Sequence, residues 1–362
     1  MTRRFLTSVG VLAVVTAVVS LPAVAGQART AGPRTKAEPS AKTTGAAPRT
    51  PWGDPDLQGV WNDATSTPLE RPRQVGEKPV LGDEEAAGFQ EELAFNLTRD
   101  RRDGGPEADV NRAYNEHWMD ARRLKITPDR RTSLIVDPPD GRIPPLVPLT
   151  PERQKARAER AAVAARFNAG LPSSAQELSL PVRCIIRTDS PPYLPLIYNN
   201  NFQIFQSPGY IAIAPEMIHS ARIIPLDGRP HLGKNLHQWL GDTRGHWDGR
   251  TLVIETTNFR TDDDVIFRGA DPATYHITER LTRVDADTIS YEFTVEDPAT
   301  WTRPWTARIP WTRIDPAEQM YEYACHEDNF DIVHLLSGAR AREKKGEPGV
   351  QSPGPGAGGG NR

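Results

Sequence analysis

The sequence predicts a mainly β protein: an antiparallel meander forming a barrel or strongly curved sheet, wrapped by an N-terminal irregular and helical segment. Three observations predict it. From about residue 182 to 334, short β-rich runs follow one another at turn signals such as Asp227-Gly228 and Asp248-Gly249. Within several runs apolar residues recur with a period of two. No helix-length periodic segment interrupts them before the C-terminal end.

In chain order, Arg3-Arg4, an apolar run from Phe5 to Leu21 and Ala23-Val24-Ala25 form the basic, apolar and small-residue parts of a secretory signal peptide over residues 1–25. The expected location is therefore periplasmic or secreted. The run leads into a cleavage pattern and no later segment is long and apolar, so no membrane span is expected. Thr2-Arg3-Arg4-Phe5-Leu6 loosely follows a twin-arginine pattern, ranked below general export because the basic region is so short. The formal charge is −3, and loss of Arg3 and Arg4 takes it to about −5. Acidic and basic residues are interleaved, which implies neither nucleic acid nor an anionic membrane as partner. Residues 26–50 and 341–362 have almost nothing to bury and read as a disordered linker and tail.

Residues 51–181 read as an irregular segment with two helices and a hairpin. Asp83 is placed to cap a helix over Glu84–Leu97, where Phe89, Leu93 and Leu97 share a face. Thr150-Pro151 supplies an N-cap and a first-turn proline for a helix to about Asn168, ended by Gly170. Between them Ser133–Val136, the turn Pro138-Pro139-Asp140-Gly141 and Arg142-Ile143 read as a hairpin. A proline-rich stretch with so little regular structure is expected to interdigitate with the barrel-like part, 182–340, rather than stand alone.

There the expected strands are Phe202–Gln206 and Tyr210–Ala214 around Ser207-Pro208-Gly209, then Ser220–Leu226, Thr251–Thr256, Tyr275–Arg283, Thr288–Val295, Trp305–Thr312 and Met320–Cys325. Pro304 and Pro310 predict that the Trp305 segment is an edge or bulged strand. Phe330–Arg342 reads as a short terminal helix.

Strand parity gives the candidate chemistry. Ile277, Glu279 and Leu281 share one face, so a carboxylate stands on an apolar surface, where it must be paired, protonated or employed. Ile289, Tyr291, Phe293 and Val295 share the next apolar face, and Trp305, Ala307, Ile309 and Trp311 the one after. Tyr321, Tyr323 and Cys325 lie on one side of the last strand, and with them inward the interior suits a flat or partly apolar ligand with polar handles. Tyr291, Tyr321, Tyr323, Trp305 and Arg222 are accordingly candidate ligand-binding residues. The competing reading is a packed aromatic core with tyrosine hydroxyls on backbone groups and Glu279 salt-bridged to an arginine.

His219 falls by parity among Pro215, Met217 and Ala221, with Glu216 and Arg222 opposite unless a bulge intervenes. An imidazole and a carboxylate are the minimal acid–base kit near neutral pH, which makes Glu279 and His219 the candidate catalytic pair. His231, His237, His246 and His326 are an alternative metal set, although no strong ligand spacing such as H-E-x-x-H occurs. Cys184 and Cys325 are the two cysteines of an exported chain, and their even count favours a disulfide over a Cys325-His326 site. No G-x-S-x-G, P-loop or dinucleotide fingerprint is present, so serine hydrolase, nucleotide and nicotinamide functions are unsupported and no cofactor is expected.

Trp52-Gly53-Asp54-Pro55-Asp56-Leu57-Gln58-Gly59-Val60-Trp61, Pro225-Leu226-Asp227-Gly228-Arg229-Pro230-His231 and Tyr321-Glu322-Tyr323-Ala324-Cys325-His326-Glu327 together resemble a large family of uncharacterised secreted bacterial proteins. So do Gly245-His246-Trp247-Asp248-Gly249 and Asp297–Thr306, and the likeness covers roughly 51–340. It implies export but no activity, and no site residue is carried over from it. Gly245–Val253 is also similar to a strand and turn of calycin-type barrels, a likeness of fold alone. The function expected is a small-molecule-binding exported barrel, acting as a cofactor-free lyase, isomerase or hydrolase through Glu279 and His219. The alternatives are a non-catalytic binding or structural module, and a histidine-based metal-binding protein.

Overall fold

A computed structural model describes residues 48–97, 123–187, 190–196, 198–260, 269–315 and 317–347. The signal peptide, most of the linker and most of the tail lie outside these residues. The strands are β1 (Gly59–Asn62), β2 (Ile135–Asp137), β3 (Asn201–Ser207), β4 (Tyr210–Pro215), β5 (Arg222–Pro225), β6 (Asp242–Asp248), β7 (Thr251–Thr257), β8 (His276–Arg283), β9 (Thr288–Glu296) and β10 (Trp305–Arg313). The helices are α1 (Asp83–Leu97), α2 (Pro151–Asn168) and α3 (Asp331–Lys345). Among the described residues no helix is long and apolar enough to cross a membrane.

Nine strands run antiparallel in the order β5-β4-β3-β1-β10-β9-β8-β7-β6, forming the nearly closed barrel that the meander pattern predicts. The hairpins arise from local chemistry. Pro208-Gly209 joins β3 to β4, with proline supplying one turn dihedral and Gly209 at φ +78° supplying the left-handed one. The seam between β5 and β6 closes by packing rather than by a ladder. A Cβ on Gly245 of β6 would stand 2.8 Å from both Ile224 Cγ2 and Leu226 Cδ2. Only glycine allows that approach.

Inside, burial alternates along the strands as parity requires. Ile277, Glu279 and Leu281 of β8, Tyr291 and Phe293 of β9, and Trp305, Ala307, Ile309 and Trp311 of β10 are all buried. Phe202 and Trp311 stack with ring centroids 4.8 Å apart, and Tyr291 stacks on the same indole at 4.6 Å. These rings fill the barrel as a continuous core.

The first half of the chain does more than wrap. β1, too short for a clear period-two signal, is a stave between β3 and β10. It buries Trp61, whose Nε1 donates to Leu57 O at 2.9 Å. Arg283 and Arg313 lie over the same indole at 5.5 and 5.6 Å. Residues 48–50, inside the expected linker, already contact this part: Arg49 bridges Pro55 and Thr50 is buried.

Several expectations are corrected. The hairpin over 133–143 does not form: β2 pairs with β10, and Arg142-Ile143 is not a strand. Pro144 and Pro145 follow it directly and have no N–H to donate to a ladder. β10 is not an edge strand, because β9 takes one side while β2 and β1 share the other. Pro310 is tolerated because it falls in the interval between the β2 pairing, which ends at Ala307, and the β1 pairing, which begins at Thr312; the bulge is a register shift at Thr306/Ala307. With both edges of β10 occupied, Met320–Cys325 finds no ladder and is not a strand. The terminal helix continues past the expected tail boundary to Lys345, with basic residues in its last turn and Gly346 in the left-handed cap position.

Candidate functional site

The residues singled out from the sequence separate into an interior cluster and an exposed end. Glu279 is fully buried, and Arg222, at the start of β5, reaches it from across the barrel. Arg222 Nη1 lies 2.9 Å from Glu279 Oε2 as an ion pair off the hydrogen-bond angle, and Nη2 donates to Oε1 at 3.1 Å. The Tyr291 hydroxyl donates to the same Oε1 at 2.8 Å and accepts from the Tyr193 backbone N–H at 3.1 Å. The guanidinium also lies 5.1 Å over the Tyr193 ring. Burial alone pushes the Arg222 pKa down, but the facing Glu279 carboxylate outweighs it and the value ends above the ordinary range. Burial, reinforced by Glu279, raises the Tyr291 pKa well above its ordinary value. Arg222 is thus locked charged and Tyr291 locked neutral. Trp305 belongs to the same packed core, at a T-shaped angle to Phe293 with centroids 5.7 Å apart.

His219 is not in this cluster. It stands exposed on the β4–β5 connection, with its Nε2 3.2 Å from Nε2 of His326. The Glu279–His219 acid–base pair is therefore not assembled, because the connection turns outward before Arg222 turns in. Ile218, immediately before His219, has φ +64°, a conformation costly for a β-branched side chain, and it breaks the simple parity. Tyr321 is 74 % exposed and Tyr323 half-buried, so neither lines the barrel. Both belong to the loop that could not join the sheet. Cys184 and Cys325 form a disulfide across 141 residues and pin that loop. The Asn329 side chain donates to Cys325 O at 2.8 Å, and Glu216 accepts from Asn201 Nδ2 at 2.8 Å and from the Tyr321 N–H at 3.5 Å.

The alternative histidine set is dispersed. His231 Nδ1 lies 2.8 Å from Asp242, His237 Nδ1 lies 3.0 Å from Phe259 O, and His246 is exposed on β6. Among the described residues no group of three or more histidines, cysteines and carboxylates is placed to hold a metal ion.

Sequence reasoning missed a groove of about 1030 Å³ beneath α2. No residue of α2 is buried, so the helix is a strut fixed at its ends. At its start the Thr150 side chain accepts from the Arg153 N–H at 3.3 Å, and Arg153 binds Ala299 O, Thr300 Oγ1 at 2.9 Å and Asp271 at 3.4 Å. At its far end Arg166 pairs with Glu177. Arg153, Arg157, Arg160, Ala164 and Phe167 recur at three- and four-residue spacing and present one face to the groove. Leu178, Leu180 and Trp239 line it as well, and Arg260 lies 4.2 Å over the Trp239 ring. Five arginines against two glutamates, Glu159 and Glu177, make the lining electropositive. The spacing of Arg153, Arg157 and Arg160 was visible in the sequence, but only the fold supplies the opposite wall. No protein-family model matches the chain, and no curated protein matches it.

Proposed function

We propose that the chain is an exported small-molecule-binding β-barrel protein whose ligand is partly apolar or aromatic, carries an anionic group and occupies the groove beneath α2. One observation carries this reading: the groove combines Trp239, Phe167 and leucines with five arginines in a volume suited to a ligand of drug-like size or larger. A flat ring would stack beside Trp239 while a carboxylate or sulfonate meets guanidinium groups, which recognise such anions in a bidentate manner. Export rests on the signal pattern of residues 1–25, and a disulfide joining the only two cysteines is compatible with it. The nearly closed barrel is the scaffold, and it is only weakly compatible with the likeness to calycin-type barrels.

Binding without proton transfer is the reading favoured. The Glu279 carboxylate is engaged by Arg222 and Tyr291, and its intended partner His219 meets His326 instead. The interior matches the competing expectation of a core with a tyrosine hydroxyl on a backbone group and a salt-bridged glutamate.

A thermal-shift screen of aromatic carboxylates and sulfonates against the purified chain tests the proposal. Stabilising compounds are expected, with the shift reduced at least tenfold in apparent affinity by Trp239→Ala or Arg157→Ala. A screen in which nothing stabilises, or in which both variants respond like the parent protein, would sink it.

A further inference from the structure

We propose that His219 and His326 form a two-imidazole site for a first-row transition-metal ion such as Zn²⁺, with water completing the coordination. The site is separate from the groove and uses a pair of histidines that no spacing in the sequence joins, 107 residues apart.

Geometry carries the proposal. A tetrahedral zinc ion with Zn–N bonds of 2.0–2.1 Å places two ligand nitrogens about 3.3 Å from each other. The two Nε2 atoms stand 3.2 Å apart, with ring centroids 5.2 Å apart and planes inclined by 20°. Rings pointing straight at each other would put the centroids about 5.5 Å apart, since each centroid lies a little over 1 Å behind its nitrogen. The shorter value means that the ring axes are tilted off the Nε2–Nε2 line.

The backbone on both sides is held. His219 follows Ile218 at φ +64°, and His326 follows the disulfide-bonded Cys325, whose partner Cys184 is itself at φ +53°. Asp328, two residues beyond His326, is also left-handed at φ +52°. Non-glycine residues in this region cost free energy, and they concentrate where a fold fixes a functional geometry. Both imidazoles are exposed, so an ion reaches them from solvent. Imidazole suits zinc, copper and nickel, and copper is expected to bind more tightly than zinc. With two protein ligands, the remaining positions are exchangeable and open to a small anion or a partner side chain.

The experiment is calorimetric titration of the full chain, purified without a histidine tag and stripped with chelator, with zinc chloride and then copper chloride. One ion per chain is expected. His219→Ala and His326→Ala should each weaken binding at least tenfold, while His276→Ala, a half-buried histidine beside Glu296, should leave it unchanged. No saturable binding at millimolar zinc would overturn the site, leaving an imidazole–imidazole hydrogen bond only. So would retention of full affinity in both variants. Copper-loaded parent protein gives a check independent of variant folding: its electron paramagnetic resonance should show coupling to imidazole nitrogen, and its absence would also defeat the proposal.

Discussion

The barrel interior and its outer end use the same side chains in opposite ways. Inside, Arg222, Glu279 and Tyr291 are buried and bound to one another, and the aromatic rings around them leave a packed core. Outside, Arg157 of α2, on a helix with no buried residue, and the imidazoles of His219 and His326 are exposed. A polar group deep in a protein must be satisfied by the fold, and once satisfied it has little left to offer a ligand. The interior cluster therefore reads as architecture, and the proposed recognition falls to groups at the surface.

The largest expected effect tests the architectural half. Arg222→Met or Glu279→Leu alone strands a buried charge and should cost about 3–5 kcal/mol of unfolding free energy. The double variant Arg222→Met with Glu279→Leu strands no charge, leaving only the Tyr291 hydroxyl without its acceptor, and by urea denaturation it should recover most of that loss. Additive losses in the double variant would mean that the pair is not the unit of stability. Ligand and metal affinity of the folded double variant should match the parent protein, and a loss of either would erase the division between the two regions.

A smaller effect is expected at the seam. Gly245→Val places a side chain where even a Cβ would meet Ile224 and Leu226 at 2.8 Å, and should cost about 1–3 kcal/mol by overpacking. Ala161→Ser beside the groove, on a helix with no buried residue, should stay within about 0.5 kcal/mol. Equal losses at the two positions would contradict the contrast drawn between a jointed barrel and a surface strut.

Much of the barrel was legible because period-two alternation in β8, β9 and β10 reports burial directly, and Glu279, Tyr291 and Trp305 fall inside as parity requires. The helix starting at Pro151 was legible from its cap and proline alone. What was not legible depends on edges and on long-range closure. β1 has four residues, too few to show a period, yet it occupies the edge of β10 that Met320–Cys325 would have needed. That one stave leaves Tyr321 and Tyr323 in a loop outside the barrel, the first exposed and the second half-buried. His219 escaped parity because Ile218 adopts a left-handed conformation, and Arg222 then points inward where the count placed it opposite. The groove and the histidine pair each join segments about a hundred residues apart or close to it, as with Phe167 and Arg260, and nothing local announces such meetings.

A further modest effect concerns the tyrosine that ties the interior network together. Tyr291→Phe removes a hydroxyl that donates to Glu279 and accepts from the Tyr193 N–H, at a cost of about 1 kcal/mol near neutral pH. The same hydroxyl should give the parent protein an alkaline signature. The folded-state pKa of Tyr291 is raised above the ordinary value of 10.0, so the neutral form is favoured by folding. Its contribution is complete below about pH 10 and is lost as pH rises toward the folded value, because the unfolded chain ionises there and the folded chain does not. The stability advantage of the parent protein over Tyr291→Phe should therefore shrink between about pH 10 and 11.5, at a slope of up to roughly 1.4 kcal/mol per pH unit. An advantage that stays constant across that range would mean that water reaches the hydroxyl, and the interior would then be open to a ligand after all.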